Sequence, residues 1–154
     1  MDIRDIIQRG LCLDPLKGSV AGKVFDEVAE AFVHAGVLPP ERSVSLRTAF
    51  VDRERQGTTA FVPGFAVPHV FLEGVVEPRL LVARHPTGID MASLDGLPTK
   101  IFVCIVAAES HRDRYLELLR YVASVTRDRR YRRLMDQSLR ARDVLEVLAS
   151  ADVT

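Results

Sequence analysis

The chain has no tryptophan, only two cysteines, and only three lysines among its 21 basic residues. Two thiols are too few for the disulfide framework of a small secreted domain. Neither Cys12 nor Cys104 has a CxxC neighbour or a histidine at metal-ligand spacing. Both lie in apolar runs, Leu11-Cys12-Leu13 and Phe102-Val103-Cys104-Ile105-Val106, so both are expected as buried free thiols in a reducing, cytoplasmic setting. Net charge is lacking too: 21 acidic residues balance the 21 basic ones, which removes the overall field that would draw the chain to nucleic acid or a membrane surface. No long hydrophobic run occurs. The longest, Ile101 to Ala108, falls far short of the roughly 20 residues needed to span a bilayer. Met1-Asp2-Ile3-Arg4-Asp5 carries no apolar segment of a secretory signal. Repeats, low-complexity stretches and linkers are absent, so residues 1–154 are expected as one domain with a core of its own.

What is present reads as alternating helices and strands. Leu11 to Leu13 is a short extended piece ended by Asp14-Pro15. Ser19 is placed to cap a helix from Val20 to about Ala35, with Val20, Val24, Val28 and Phe32 on one face. Gly36 closes that helix. Pro39-Pro40-Glu41 opens a second helix through about Glu54. Residues 57–64 read as loop, and Phe65-Ala66-Val67 runs into Pro68-His69. Leu80 to Ala83 and Ile101 to Val106 are continuous apolar runs of the kind found in strands buried on both faces. A strong amphipathic helix is expected from Arg112 to about Thr126, with Tyr115, Leu118, Leu119, Val122 and Val125 on one face. Two shorter helices, about Arg130 to Leu139 and Ala141 to Ala149, close the chain. The expected fold is α/β: a single compact domain with a central mixed β-sheet flanked by helices on both faces.

The four histidines and two cysteines form no metal constellation, and no GxxxxGK[ST] or dinucleotide pattern occurs. His34 near a helix C-terminus suits the helix dipole. His85, before Pro86, is placed at a strand-to-loop exit without an evident partner. Residues 127–142 hold seven arginines against two aspartates; an anionic partner is one reading of that excess and a solvated helical face the other, and no DNA-binding motif accompanies it. His69 by itself reads as either an inert polar residue at a strand end or a nucleophile.

The ordered set Arg53-Glu54-Arg55-Gln56-Gly57-Thr58-Thr59, then Gly64-Phe65-Ala66-Val67-Pro68-His69, resembles the signature of phosphotransferase-system IIA domains of the fructose, mannitol and nitrogen-regulatory type. Gly88-Ile89-Asp90, Asp95-Gly96, Tyr115-Leu116-Glu117-Leu118-Leu119, Arg133-Leu134-Met135 and Arg142-Asp143-Val144-Leu145 follow in the family's order. The resemblance implies that His69 accepts a phosphoryl group from the phosphocarrier protein HPr. It also implies that Arg53, Thr58 and Thr59 brace the phosphate. The downstream partner would be a IIB domain or a regulated protein, without a metal or organic cofactor, nucleic acid or membrane insertion. A stand-alone domain with no fused IIB or IIC region fits the nitrogen-regulatory kind. The alternatives are a non-phosphorylated protein-binding module and a sugar-specific transport component.

Such chemistry requires a neutral imidazole, free on one nitrogen and oriented through the other, with donors placed for the phosphoryl charge. Three positions depart from the family pattern. Its Gly-Asn-Gly-like loop reads Val62-Pro63-Gly64; the small residue after the histidine is Val70, followed by Phe71; and its second histidine is Tyr115. His111, four residues before Tyr115, would share its helix face if the helix already began there. Val70 and Phe71 are expected to narrow the approach to His69 or to form a protein-contact surface.

Overall fold

The computed structural model describes residues 2–153. It begins with a helix that the sequence reading did not anticipate, α1 (Ile3–Gln8). Asp2 and Asp5 form a reciprocal capping box, and Ile6 and Ile7 turn inward. There follow β1 (Leu11–Leu13), α2 (Ala21–His34), a 3₁₀ turn (Pro40–Arg42), α3 (Ser43–Arg55), β2 (Phe65–Ala66) and β3 (His69–Phe71). The long hairpin β4 (Arg79–Ile89) and β5 (Thr99–Ala107) then leads to α4 (Arg112–Arg127), α5 (Arg129–Asp136) and α6 (Ala141–Ser150).

Local chemistry moves several boundaries. Ser19 is not the cap of α2; the N-cap is Val20, which supplies no side-chain bond. Pro40 opens only the 3₁₀ turn, and the α-helix proper starts at Ser43. The α5 helix stops at Asp136, short of Leu139. β4 continues past Pro86 to Ile89, and His85 does have partners: its Nε2–H donates to the Gly18 carbonyl at 3.0 Å, while Nδ1 accepts the Gly88 N–H at 2.9 Å.

The sheet is mixed. β1 pairs parallel with β4, β4 antiparallel with β5, and both β2 and β3 lie parallel along the other edge of β5. Phe65 stands opposite Ile101 and His69 opposite Ile105, so one register runs through both short strands. Only Val67-Pro68 interrupts it. A proline cannot donate to a ladder and is tolerated on an edge; its carbonyl still accepts from Ile105 N at 2.9 Å.

Alternation along β5 divides the core into two layers. Phe102, Cys104 and Val106 pack with α2 and α3, whereas Ile101, Val103, Ile105 and Ala107 pack with α1, α4 and α6. Helices thus cover both faces, as the continuous apolar strands required. Cys104 is fully buried, but Cys12 is exposed, against expectation. Leu11 and Leu13 pack on the α2 layer, and the residue between them in a three-residue edge strand points the other way. Val70 is likewise turned inward, into the α2–α3 layer, and only its edge borders a surface cleft beside His69; Phe71 remains partly exposed.

Candidate functional site

The end of α3 clamps the loop that carries His69. Glu54, in the last turn, accepts the Thr59 hydroxyl at Oε1 and the Thr59 N–H at Oε2, the latter at 3.2 Å. Beside it, Arg53 Nη1 donates to the Gly57 carbonyl at 2.8 Å. Burial pushes the Glu54 carboxyl above its ordinary range, and the two bonds from Thr59 oppose that shift. The Thr58 hydroxyl donates to the Met91 carbonyl at 2.7 Å and accepts the Ala60 N–H at 3.0 Å. The loop then turns at Val62-Pro63-Gly64-Phe65, closed by Phe65 N to Val62 O at 3.0 Å. Gly64 has φ +80°. Proline second and a positive-φ glycine third is the composition a type II turn requires, so Pro63 serves the turn here.

From that turn, β2 leads to Val67, whose N–H donates to the Thr59 carbonyl at 3.1 Å. The Val67 carbonyl in turn lies 2.6 Å from His69 Nδ1. A carbonyl can only accept, so Nδ1 carries the proton and Nε2 is left with its lone pair. A continuous chain of bonds therefore runs from Glu54 through Thr59 and Val67 to the imidazole. Desolvation holds the His69 pKa below 6.5; the bond to Val67 opposes this, and the positive charge of Arg53 adds to it. The ring is accordingly neutral at pH 7, the form that a nucleophile needs.

His69 and Arg53 together line two clefts. One, of about 240 Å³, is bounded further by Thr59, Val67, Leu119 and Arg127. The other, of about 350 Å³, adds Asp52, Gln56, Phe71 and Tyr115. The Tyr115 ring stands 6.1 Å from that of His69 and 4.3 Å from that of Phe71, centroid to centroid. Burial pushes the Tyr115 phenol up to about 12, so it stays protonated at neutral pH. Arg112 lies over the Phe71 ring at 4.7 Å, a cation–π contact. Of the residues singled out in the sequence, Arg53, Thr59 and Tyr115 thus border the clefts at His69. Thr58 lies in the same loop with its hydroxyl donated to Met91, and His111, exposed at the N-cap of α4, lines neither cleft. Glu54 and Arg112 are site residues that the sequence did not single out, and Arg127 stood out only as part of a basic run. Glu54 stands inside the Arg-Glu pair and Arg127 opens the arginine-rich run 127–142, whereas nothing in the chain's patterning marks Arg112 among so many arginines.

The family model described as "Phosphoenolpyruvate-dependent sugar phosphotransferase system, EIIA 2" matches residues 8–151. The nitrogen regulatory protein of Pseudomonas aeruginosa is 28% identical over 123 residues, covering 80% of this chain and 79% of the relative. That of Bradyrhizobium diazoefficiens is 28% identical over 154 residues, 100% of this chain and 99% of the relative. The crystal structure of the nitrogen regulatory protein IIA-Ntr from Neisseria meningitidis superimposes with a TM-score of 0.79 at 22% identity, over 95% of this chain and 98% of that one.

Proposed function

Because the chain belongs to the EIIA 2 family of the phosphoenolpyruvate-dependent sugar phosphotransferase system, we propose that it is a phosphoryl carrier of the nitrogen-regulatory kind, working in the cytoplasm. In this reading His69 accepts a phosphoryl group from an HPr-like phosphocarrier protein. The phosphorylated state then regulates a protein partner or is passed to a IIB domain. The two nitrogen regulatory relatives, matched over most of their length, favour the regulatory outcome.

The observation that carries the proposal is the His69 anchor: Nδ1–H held by the Val67 carbonyl at 2.6 Å, with Nε2 left to react. The Nε2 lone pair attacks phosphorus, an N–P bond forms, and the bond from phosphorus to the donor's leaving atom breaks with its electron pair staying on the donor. The proton stays on Nδ1. The ring thereby gains positive charge, which the Val67 carbonyl stabilises, while the phosphoryl oxygens hold roughly two negative charges. Arg53 retains guanidinium N–H groups beyond the one given to Gly57. The Tyr115 hydroxyl has no partner among the described residues. These two are the donors for the phosphoryl oxygens. Thr59 acts through Glu54 by fixing the loop, and Thr58 acts by tying the same loop to Met91.

The test is incubation with phosphoenolpyruvate, enzyme I and HPr, read by intact mass beside His69→Ala, with a known carrier as control in the same tube. An acid-labile phosphoryl mass on the native chain and none on the variant is the expected result. No added mass, with the control labelled and the organism's own HPr supplied, would refute the carrier reading and leave a binding module.

A further inference from the structure

We propose that the smaller cleft beside His69 is a binding site for a small organic anion with an apolar body: a carboxylate carried on an aromatic or aliphatic group. The inference goes beyond the carrier reading and does not require that His69 be phosphorylated.

Two cations border this cleft from different elements, Arg53 at the end of α3 and Arg127 at the end of α4. Seven other arginines of the chain pair with carboxylates. Arg53 and Arg127 do not, among the described residues. Two arginines line one cavity whose lining residues include no carboxylate, the Glu54 carboxylate beside Arg53 being engaged by Thr59. Such a pair attracts an anion, and a planar carboxylate matches the guanidinium fork.

The remaining wall is apolar. Phe65, Val67, Leu119 and Ala123 contribute to it, and Phe61, 52% exposed, stands at its rim. A phosphoryl group on Nε2 has no use for such a surface, because all three of its outer oxygens seek donors. Phe61 and Val62, in the loop before Gly64, both line the cleft and add apolar surface to it. A volume of about 240 Å³ lies just below the usual range of ligand pockets, which starts at about 300 Å³, and limits the occupant to a small molecule. Since His69 lines the same cleft, the bound anion lies against Nε2. Occupancy and phosphorylation exclude each other.

The experiment titrates the unphosphorylated full chain, without any phosphotransfer partner, with 1-naphthoate, benzoate and hexanoate. Two controls separate the terms: 1-naphthamide keeps the apolar body without the charge, and inorganic phosphate keeps charge without the body. Binding is read by calorimetry and by the His69 ring C–H resonances. We expect saturable one-to-one binding of at least one carboxylate, strongest where the body fills the cleft, with the amide and phosphate each at least about tenfold weaker. Arg127→Met, at an exposed position, should weaken the carboxylate by about tenfold and leave the amide unchanged. Ala123→Leu, which fills the cleft, should abolish binding, with the thermal melt confirming its fold. Equal binding of the amide, phosphate as tight as the carboxylate, or full affinity in Arg127→Met would each overturn the proposal. So would failure of every probe up to about 10 mM, a loss of nearly all useful affinity, which would leave the cleft to a side chain of a docking protein. None of these outcomes depends on phosphotransfer, so failure here is separable from failure of the carrier reading.

Discussion

Replacing Thr59 by valine keeps the shape of the side chain and removes one hydroxyl, which makes it a direct probe of the clamp between α3 and the His69 loop. In the native protein that hydroxyl donates to Glu54 Oε1, and only the Thr59 N–H at 3.2 Å would remain to serve the carboxylate. A hydrogen bond to a charged group contributes about 1.5–3 kcal/mol. Glu54 is only partly buried, so the lower end applies, about 1.5 kcal/mol. For a domain of this size that lowers Tm by about 3–6 °C. The pH dependence has a definite sign. Burial raises the Glu54 pKa and the Thr59 hydroxyl lowers it, so the variant's carboxyl titrates higher still. The loss is full where Glu54 is ionised, above its raised pKa, and shrinks as pH falls through that value toward the ordinary carboxylate range. Thermal melts of native protein, Thr59→Val, Glu54→Gln and the double variant, taken between about pH 4 and pH 8 around the glutamate range, measure this directly. A Tm loss independent of pH, or one that persists unchanged in the Glu54→Gln background, would refute the coupling and the clamp with it.

Four further outcomes are expected. The His69 ring should titrate below 6.5, because burial opposes its charged form; stability is then fully present above about 6.5 and lost as pH falls through the depressed folded value, an effect that His69→Gln should remove. An NMR midpoint at or above that value would contradict it. Tyr115→Phe should leave stability within about 0.5 kcal/mol, because the hydroxyl has no partner, yet shorten the lifetime of the phosphorylated protein by about tenfold, the scale of one bond to a charged group. Phe50→Ala should cost about 3–5 kcal/mol in urea unfolding, since Phe50 is fully buried and stacks on Phe25 at 5.2 Å. Under native conditions a thiol reagent should label Cys12 alone, and in denaturant both cysteines; two labels on the native chain would mean that β5 opens readily.

Elements with strong periodic patterning are legible in the sequence itself. α2 and α4 announced themselves through apolar residues spaced for one helical face, and β5 through an unbroken apolar run that only a doubly covered strand accommodates. α1 was missed because six residues offer too short a window for periodicity, although its capping pair was there to be seen. Cys12 and Val70 were misplaced for a shared reason: each stands in a three-residue edge strand, where local composition does not say which way the alternation points. The site was legible as a motif and illegible as an arrangement. The run from Arg53 to His69 named the residues; it did not show that the Thr59 hydroxyl would be taken by Glu54, or that the Thr58 hydroxyl would be taken by Met91, 33 residues away.

The amino-acid sequence alone determined that the chain would form an α/β domain and that His69 would follow a rigid Val67-Pro68 step. These follow from local terms: hydrophobic period and backbone restriction by proline. Only the tertiary structure decided the state of the imidazole, because its tautomer depends on the Val67 carbonyl and its charge on how much water the folded core removes. The same holds for the cleft between Arg53 and Arg127. Those residues lie 74 positions apart in the chain, and they face one cavity because α3 and α4 flank the strand edge that carries His69. Burial and long-range charge are properties of packing, which local patterning limits but does not set.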